Sequence, residues 1–340
     1  MSCNLNYPII HRPAGFYCPA GDFYIDPLRP VDRAIITHGH ADHARPGSKA
    51  YLTSSSGLPL VRKRVNSQQI EGLPFRETRT IGNAIVSLHP AGHLLGSAQV
   101  RVEVSGRVSV ITGDYKREPD PTCEMFEVVK CHHLVTECTF GLPVYRWPDM
   151  ATVFDEIHDW WRANQEVGRT SVLLCYALGK AQRVLAGLDP NIGTILLHGA
   201  MTNFDQWYRE AGIHLPPAQK VTTDLARRHK GKALVLAPPS AAGTTWIRKF
   251  TPCSLAFASG WMLLRGTRRR RAVDRGFVVS DHADWPSLLD TIQSTSAEEV
   301  WATHGYTGPL VRYLRQTGIN AREVATRFGD GDENEEPTEA

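Results

Sequence analysis

The sequence predicts a mixed α/β protein: an α+β sandwich built from two separate stretches of chain, with a smaller α/β domain inserted between them. Three observations predict it. Up to about Thr139, short apolar runs follow one another closely, as strands of a sandwich do. From about Tyr145 the rhythm changes to strands separated by helix-like segments, the mark of a small parallel sheet. After Gly276, further strands lead to His and Asp residues of the kind that follow the early strands, so the first domain is discontinuous. The expected boundaries are 1–144 and 276–328 for the sandwich, 145–275 for the insert and 329–340 for an acidic, disordered tail.

Taken in order, the run Arg33–Thr37 reads as a short buried strand, and it delivers the string His38-Gly39-His40-Ala41-Asp42-His43 into the start of a helix. Three imidazoles and a carboxylate in so short a segment have the spacing of a two-metal hydrolytic site. His38 and His40 can face one ion while Asp42 and His43 face another. Adjacent residues cannot surround two ions, so distant ligands are needed. His93 follows the strand Ala84–Leu88, with Gly92 beside it to let the backbone come close. Val100, Val102 and Val104, a Ser105-Gly106 turn, then Val108 and Val110 make a hairpin that carries Asp114 to the same end. Glu137 follows another strand. In the insert, Ser171–Tyr176, Thr194–Leu197, Ala233–Leu236 and Leu255–Ala258 read as strands, and Ala181–Leu188 and Phe204–Glu210 as helices. Phe277–Ser280 then leads to Asp281 and His282, and Glu299–Thr303 to His304.

The series HGHADH, Gly92-His93, Thr112-Gly113-Asp114, Glu137, Ser280-Asp281-His282 and Thr303-His304-Gly305 resembles the metallo-β-lactamase superfamily and, within it, the β-CASP branch of nucleic-acid-cleaving enzymes. The stretches from Tyr17 to His43 and from Phe257 to Trp285 look closest to bacterial ligase-associated DNA exonucleases. The resemblance runs from about Pro13 to about Phe328. It implies a metallo-β-lactamase αββα fold with an inserted β-CASP-like cap. It also implies two divalent ions, Zn²⁺ or Mn²⁺: His38, His40 and His93 would hold the first, Asp42, His43 and His304 the second, and Asp114 would bridge them. Asp42, Glu137 and His282 would serve catalysis, Glu137 by orienting His282 as a general acid. Members that cut DNA in one group carry Val where this chain has His304, whereas RNA-cutting members carry His. The family's setting implies functional association with a DNA ligase and a helicase.

Composition agrees with an enzyme of ordinary globular kind. The 340 residues are 42% hydrophobic, enough for a large core. No apolar stretch approaches the ~20 residues of a membrane span, and the start lacks a secretory pattern, so a cytoplasmic protein is expected. Seven Cys without a CxxC pair argue against a disulfide framework or zinc ribbon. The net charge of +3 becomes +9 without the six acidic residues of the last eleven. Arg265, Arg268, Arg269, Arg270 and Arg271 form the densest basic run, placed just upstream of His282, and are expected to track phosphates. Lys180, after the turn at Gly179, is a further candidate phosphate contact. The leading expectation is a metal-dependent DNA exonuclease of DNA repair. An RNA endo- or exonuclease of the same fold is the alternative, and a small-molecule metallo-hydrolase a remote one.

Overall fold

The computed structural model describes residues 7–270 and 273–325. The acidic tail and Arg271 lie outside the described residues. The chain forms two compact units: one comprises the parts before Trp147 and after Asp281, the other Trp147–Asp281.

In the first unit, β1 (Ile10–Arg12), β2 (Gly15–Cys18), β3 (Phe23–Ile25), β4 (Arg33–Ile35), β5 (Ala50–Ser54) and β6 (Ile70–Leu73) form one sheet in sequence order, with α1 (Leu58–Val65) between the last two. From β3 to β6 the strands are parallel. A second sheet begins with β7 (Thr78–Ile81), β8 (Ala84–Pro90), β9 (Ala98–Val104), β10 (Arg107–Ile111) and β11 (His133–Cys138). β9 and β10 form a hairpin in which Val104 pairs with Arg107. Its two turn residues, Ser105 and Gly106, both have positive φ, as a twisted two-residue turn requires.

The second unit is a six-stranded, wholly parallel sheet. It starts with α2 (Met150–Glu166), capped by Asp149, whose carboxylate accepts from the Thr152 amide at 3.1 Å. Val153, Ile157, Trp160, Trp161 and Asn164 recur at helical spacing and are its buried face. There follow β12 (Thr170–Leu174), α3 (Lys180–Ala186), β13 (Ile195–Leu197), α4 (Gly199–Glu210), β14 (Gln219–Lys220), α5 (Thr223–Arg228), β15 (Leu234–Ala237), α6 (Thr245–Arg248), β16 (Cys253–Ala258), α7 (Arg265–Arg270) and β17 (Arg275–Phe277). The order across the sheet is β14-β13-β15-β12-β16-β17. This corrects the expected boundary at 276 and the expected strand Phe277–Ser280. β17 pairs with β16, and Phe277 packs edge-on against Trp160 at 5.5 Å, so the segment belongs to the second unit up to Asp281.

Back in the first unit, α8 (Trp285–Thr295), β18 (Glu299–Gly305), α9 (Thr307–Gln316) and β19 (Ala321–Glu323) complete the second sheet in the order β19-β18-β11-β10-β9-β8-β7. Period-two alternation then dictates the layers. Phe16, Ile25, Ile35 and Leu52 of one sheet meet Val86, Val100, Ile111, Val135 and Trp301 of the other in a common core. The opposite faces carry Ala34, Ile36 and Tyr51 against Val61 and Val65 of α1, and Val108, Val110 and Val300 against Leu288 and Ile292 of α8 and Leu310 and Leu314 of α9. The result is a metallo-β-lactamase-like α+β sandwich. Each fully buried Val or Leu contributes about 1.5–3 kcal/mol to holding the layers together. Among the described residues no helix is long and apolar enough to cross a membrane.

Gly92 shows how tightly the loops at one rim are packed. Its φ is +75°, and an added Cβ would lie 2.3 Å from the Lys116 carbonyl oxygen. Gly92→Ala should therefore destabilise the fold by about 1–3 kcal/mol, read as a lowered midpoint of chemical unfolding.

Candidate metal centre

Parallel strands end at the same edge of their sheet, and here the loops at those edges carry the polar residues. Asp26 follows β3, and Thr37 and His38 follow β4. On the second sheet His93 follows β8, Asp114 follows β10, Glu137 is the penultimate residue of β11, and His304 that of β18. The string 38–43 does not enter a helix as expected. It makes a single turn, with the His43 and Ala44 amides both donating to the His40 carbonyl, at 3.2 and 2.8 Å. Pro46, which disfavours helical geometry at Arg45, stops it there.

That turn directs its side chains to two adjacent groups. His40 Nδ1 lies 3.2 Å from His38 Nε2 and 3.1 Å from His93 Nε2. Four ligand atoms of His38, His40, His93 and Asp114 lie within 4.8 Å of one another, as do those of Asp42, His43 and His304. Asp114 Oδ2 sits between the groups, 3.6 Å from His38 Nε2 and 3.4 Å from His43 Nε2. Imidazole nitrogens around a tetrahedral ion at about 2.0–2.1 Å would be about 3.3 Å apart, so the first group has the spacing of a cation site. The second group fits as well: His43 Nε2 is buried without a hydrogen-bond partner, while its Nδ1 is held at 2.7 Å by Asp26. The carboxylate thus fixes the tautomer that leaves Nε2 available to a metal.

Electrostatics favour a cation at this place. Burial, then the neighbouring His43, push His38 well below the ordinary imidazole range. Burial also opposes charge on His43, but Asp114, Asp42 and Asp26 together hold it well above that range. Burial would raise Asp114, yet His43, His282 and His38 hold its carboxyl well below the usual carboxylate range. The opposite shifts of Asp114 and His43 mark a contact in which each favours the charged form of the other, and a divalent ion held there would compete with a proton for the His43 ring.

Beside the two groups, His282 Nδ1 lies 2.9 and 3.0 Å from the two carboxylate oxygens of Glu137. Glu137 is 2% exposed and also accepts the Tyr115 amide at 2.8 Å and the Thr139 amide at 3.3 Å. A pocket bordered by Phe16, Leu28, Ile111 and Val135 opens onto Asp42, His43 and His304.

No family model matches the chain. It is 30% identical over 310 residues to a probable DNA ligase of Opitutus terrae, covering 90% of this chain and 30% of the ligase. It is 34% identical over 208 residues to the endoribonuclease YSH1 of Gibberella zeae, covering 49% of this chain and 24% of that protein. With the cleavage and polyadenylation specificity factor 73 of Drosophila melanogaster the identity is 31% over 125 residues, 36% of this chain and 18% of the factor. The chain thus spans less than a third of each of these three proteins. These likenesses support the metallo-β-lactamase/β-CASP nuclease superfamily for this chain. A solved structure from Enterococcus faecalis, a protein of unknown function, superposes with a TM-score of 0.59 at 13% identity over 88% of this chain and 80% of its own, a likeness of fold.

Against that superfamily background, the nine expected residues His38, His40, Asp42, His43, His93, Asp114, Glu137, His282 and His304 lie together. The basic candidates differ. Arg265 and Arg269 are exposed on α7, which spans the positions of Arg268 and Arg270, and Arg271 lies outside the described residues. Lys180 departs from expectation: it is 1% exposed, and its ammonium lies 3.1 Å from Asp281, so burial and pairing withdraw it from the role of a surface phosphate contact. Sequence reading missed Asp26 and Thr37. Asp26 binds His43 and also accepts the Thr37 amide at 2.8 Å and hydroxyl at 2.5 Å. Its signal was an acidic residue directly after a strand, the same placement as Asp114. Asp26→Asn, which cannot accept equally from all three donors, should weaken metal binding by about 10–100-fold at one of two positions and spare the other. Calorimetric titration of the metal-free protein would resolve the two sites.

Proposed function

We propose that the chain is a two-metal phosphodiester hydrolase and that its substrate is DNA, degraded from an end as part of repair. The observation that carries this reading is the pair of ligand groups sharing Asp114, with the Glu137–His282 pair beside them. His38, His40, His93 and Asp114 would hold one ion, and Asp42, His43, His304 and Asp114 the other. Imidazoles suit Zn²⁺, and the carboxylates admit Mn²⁺. Two divalent ions in these places supply a nucleophile at neutral pH and offset the charge of the phosphodiester.

The chain's own groups account for the rest. Asp114 would fix the separation of the two sites. Glu137 accepts a hydrogen bond from His282 Nδ1–H, which orients the ring so that Nε2 can give a proton to the leaving oxygen. Exposed Arg265 and Arg269, in the run that continues through Arg268, Arg270 and Arg271, would meet the backbone of a long substrate. The span of 90% of this chain in a protein named as a DNA ligase supports DNA as substrate and a ligase as functional partner. Association with a helicase and a cytoplasmic location belong to the same reading. A second reading, an RNA endo- or exonuclease, is favoured by the likeness to proteins named as endoribonucleases and by His304 in place of Val.

End-labelled single-stranded DNA, duplex DNA and RNA, each incubated with Mn²⁺ or Zn²⁺, separate the readings. Mononucleotides released from DNA ends are expected; cleavage of RNA alone would establish the second. Asp114→Ala should abolish cleavage and lower bound metal, measured by elemental analysis. His282→Ala should keep both ions yet cut natural diesters about 10²- to 10⁴-fold more slowly. A nitrophenyl diester, whose leaving group needs no acid, should be spared.

A further inference from the structure

We infer that the crevice at the C-terminal edge of the second unit's sheet, between β13 and β15, binds one nucleotide of a single DNA strand, with its phosphate on Lys220, Lys249 and His198 and its base on Trp246. The inference rests on the reading of the chain as a nuclease and adds to it a binding site that lies wholly within the second unit.

Topology puts an opening at this place. β13 and β15 are parallel neighbours. In the order β14-β13-β15-β12-β16-β17, the chain leaving β13 runs to β14 on one side, whereas the chain leaving β15 runs past β12 to β16 on the other. Where the connections of neighbouring parallel strands diverge in this way, a crevice is left outside their carboxyl ends, and ligands of open α/β sheets bind there. His198 follows β13, Lys220 ends β14, and Trp246 and Lys249 come after β15. The His198 amide ties the two strands together at this edge by donating to the Leu236 carbonyl at 2.9 Å.

The four side chains converge. The His198 and Trp246 rings lie 4.6 Å apart, and Lys249 Nζ is 5.0 Å from the centre of the Trp246 ring. Lys220 lies across Gly199, where an added Cβ would be 3.3 Å from its Cε and 3.8 Å from its Nζ. His198 Nδ1 accepts the Ala200 amide at 3.1 Å, so the neutral ring carries its proton on Nε2 and offers it as a donor. Burial, then Lys249 and Lys220, hold this ring below the ordinary imidazole range, so both ammonium groups act on the same place. Among the described residues neither ammonium has a carboxylate partner. Both lysines are exposed, and the half-buried Trp246 is backed by the buried Phe250 ring at 5.0 Å. Two unpaired cations and a ring donor beside an indole match a phosphate joined to a base, since charge neutralises the one and the π face stacks the other.

The test uses the whole chain without metal, so that binding is read apart from cleavage. A fluorescein-labelled oligothymidylate is titrated by anisotropy at several salt concentrations. Lys220→Ala combined with Lys249→Ala should weaken binding and reduce the salt slope of log affinity by about 1.4, two contacts at about 0.7 each. Lys230→Ala combined with Lys232→Ala removes the same charge just before β15, at the opposite edge of the sheet, and should leave the slope nearly unchanged. Trp246→Leu should weaken binding about 10-fold with little change of slope, and Trp246→Phe should recover part of the loss. Equal effects of the two lysine pairs, or no effect of Trp246→Leu, would overturn the inference, as would the absence of binding by the unaltered chain. If Trp246→Leu does not fold, the two pairs of exposed lysines carry the comparison. The nuclease reading is tested apart from this one, with metal restored. An unaltered chain that binds the strand yet cleaves neither DNA nor RNA would end that reading and leave the crevice in place; cleavage of DNA with identical binding by all variants would end the inference alone.

Discussion

The charge on Asp114 is the constraint from which the rest of the site follows. Asp114 is 6% exposed, and although burial would raise its carboxyl, the imidazoles of His43, His282 and His38 hold it well below the usual carboxylate range. A buried carboxylate so placed needs compensating positive charge, and the contact with Asp114, Asp42 and Asp26 pushes His43 well above the ordinary imidazole range. The neighbours that could share that proton are opposed by burial, His38 most strongly. Two divalent ions held as proposed would satisfy the carboxylate and the ring nitrogens together.

The sandwich exists in a form that permits this. Both sheets place the C-terminal ends of parallel strands at the loops that carry the ligands, and period-two alternation commits every strand's register to the shared core. Slipping any one strand by a residue would turn its core side chains to the opposite face of the sheet. Local backbone strain does the final aiming. Among the described residues, Asp26 and His304 are two of seven non-glycine residues with positive φ, at +44° and +54°, and both border the site. The register between β11 and β18 shifts just where Glu137 and His304 occur. Such conformations cost free energy and persist where surrounding packing holds them, a pattern common at functional sites.

Much of this was legible from residue order. The string 38–43 and the strand-end positions of His93, Asp114 and His304 were visible because ligands placed at strand ends leave a regular signature, and the hairpin turn at Ser105-Gly106 was visible because its conformation demands those residue types. Other features had no local signal. The string 38–43 reads as leading into a helix because its residue types allow one, whereas Pro46 ends it after a single turn. Asp26 was missed because its partner His43 lies 17 residues away and one acidic residue after a strand is common. Lys180 reads as a phosphate contact because a cation at a strand-to-helix turn looks the same in sequence whether it faces solvent or a buried Asp281, 101 positions later; only the tertiary contact decides. The second unit's last strand was placed in the wrong unit for a similar reason, since an apolar run before a functional His does not reveal which sheet it joins.

Anomalous diffraction from crystals soaked in Mn²⁺ tests the central claim most directly. Two peaks about 3.5–4 Å apart, one among His38, His40 and His93 and the other among Asp42, His43 and His304, with Asp114 contacting both, are predicted. A single peak, or metal bound away from Asp114, would contradict the account.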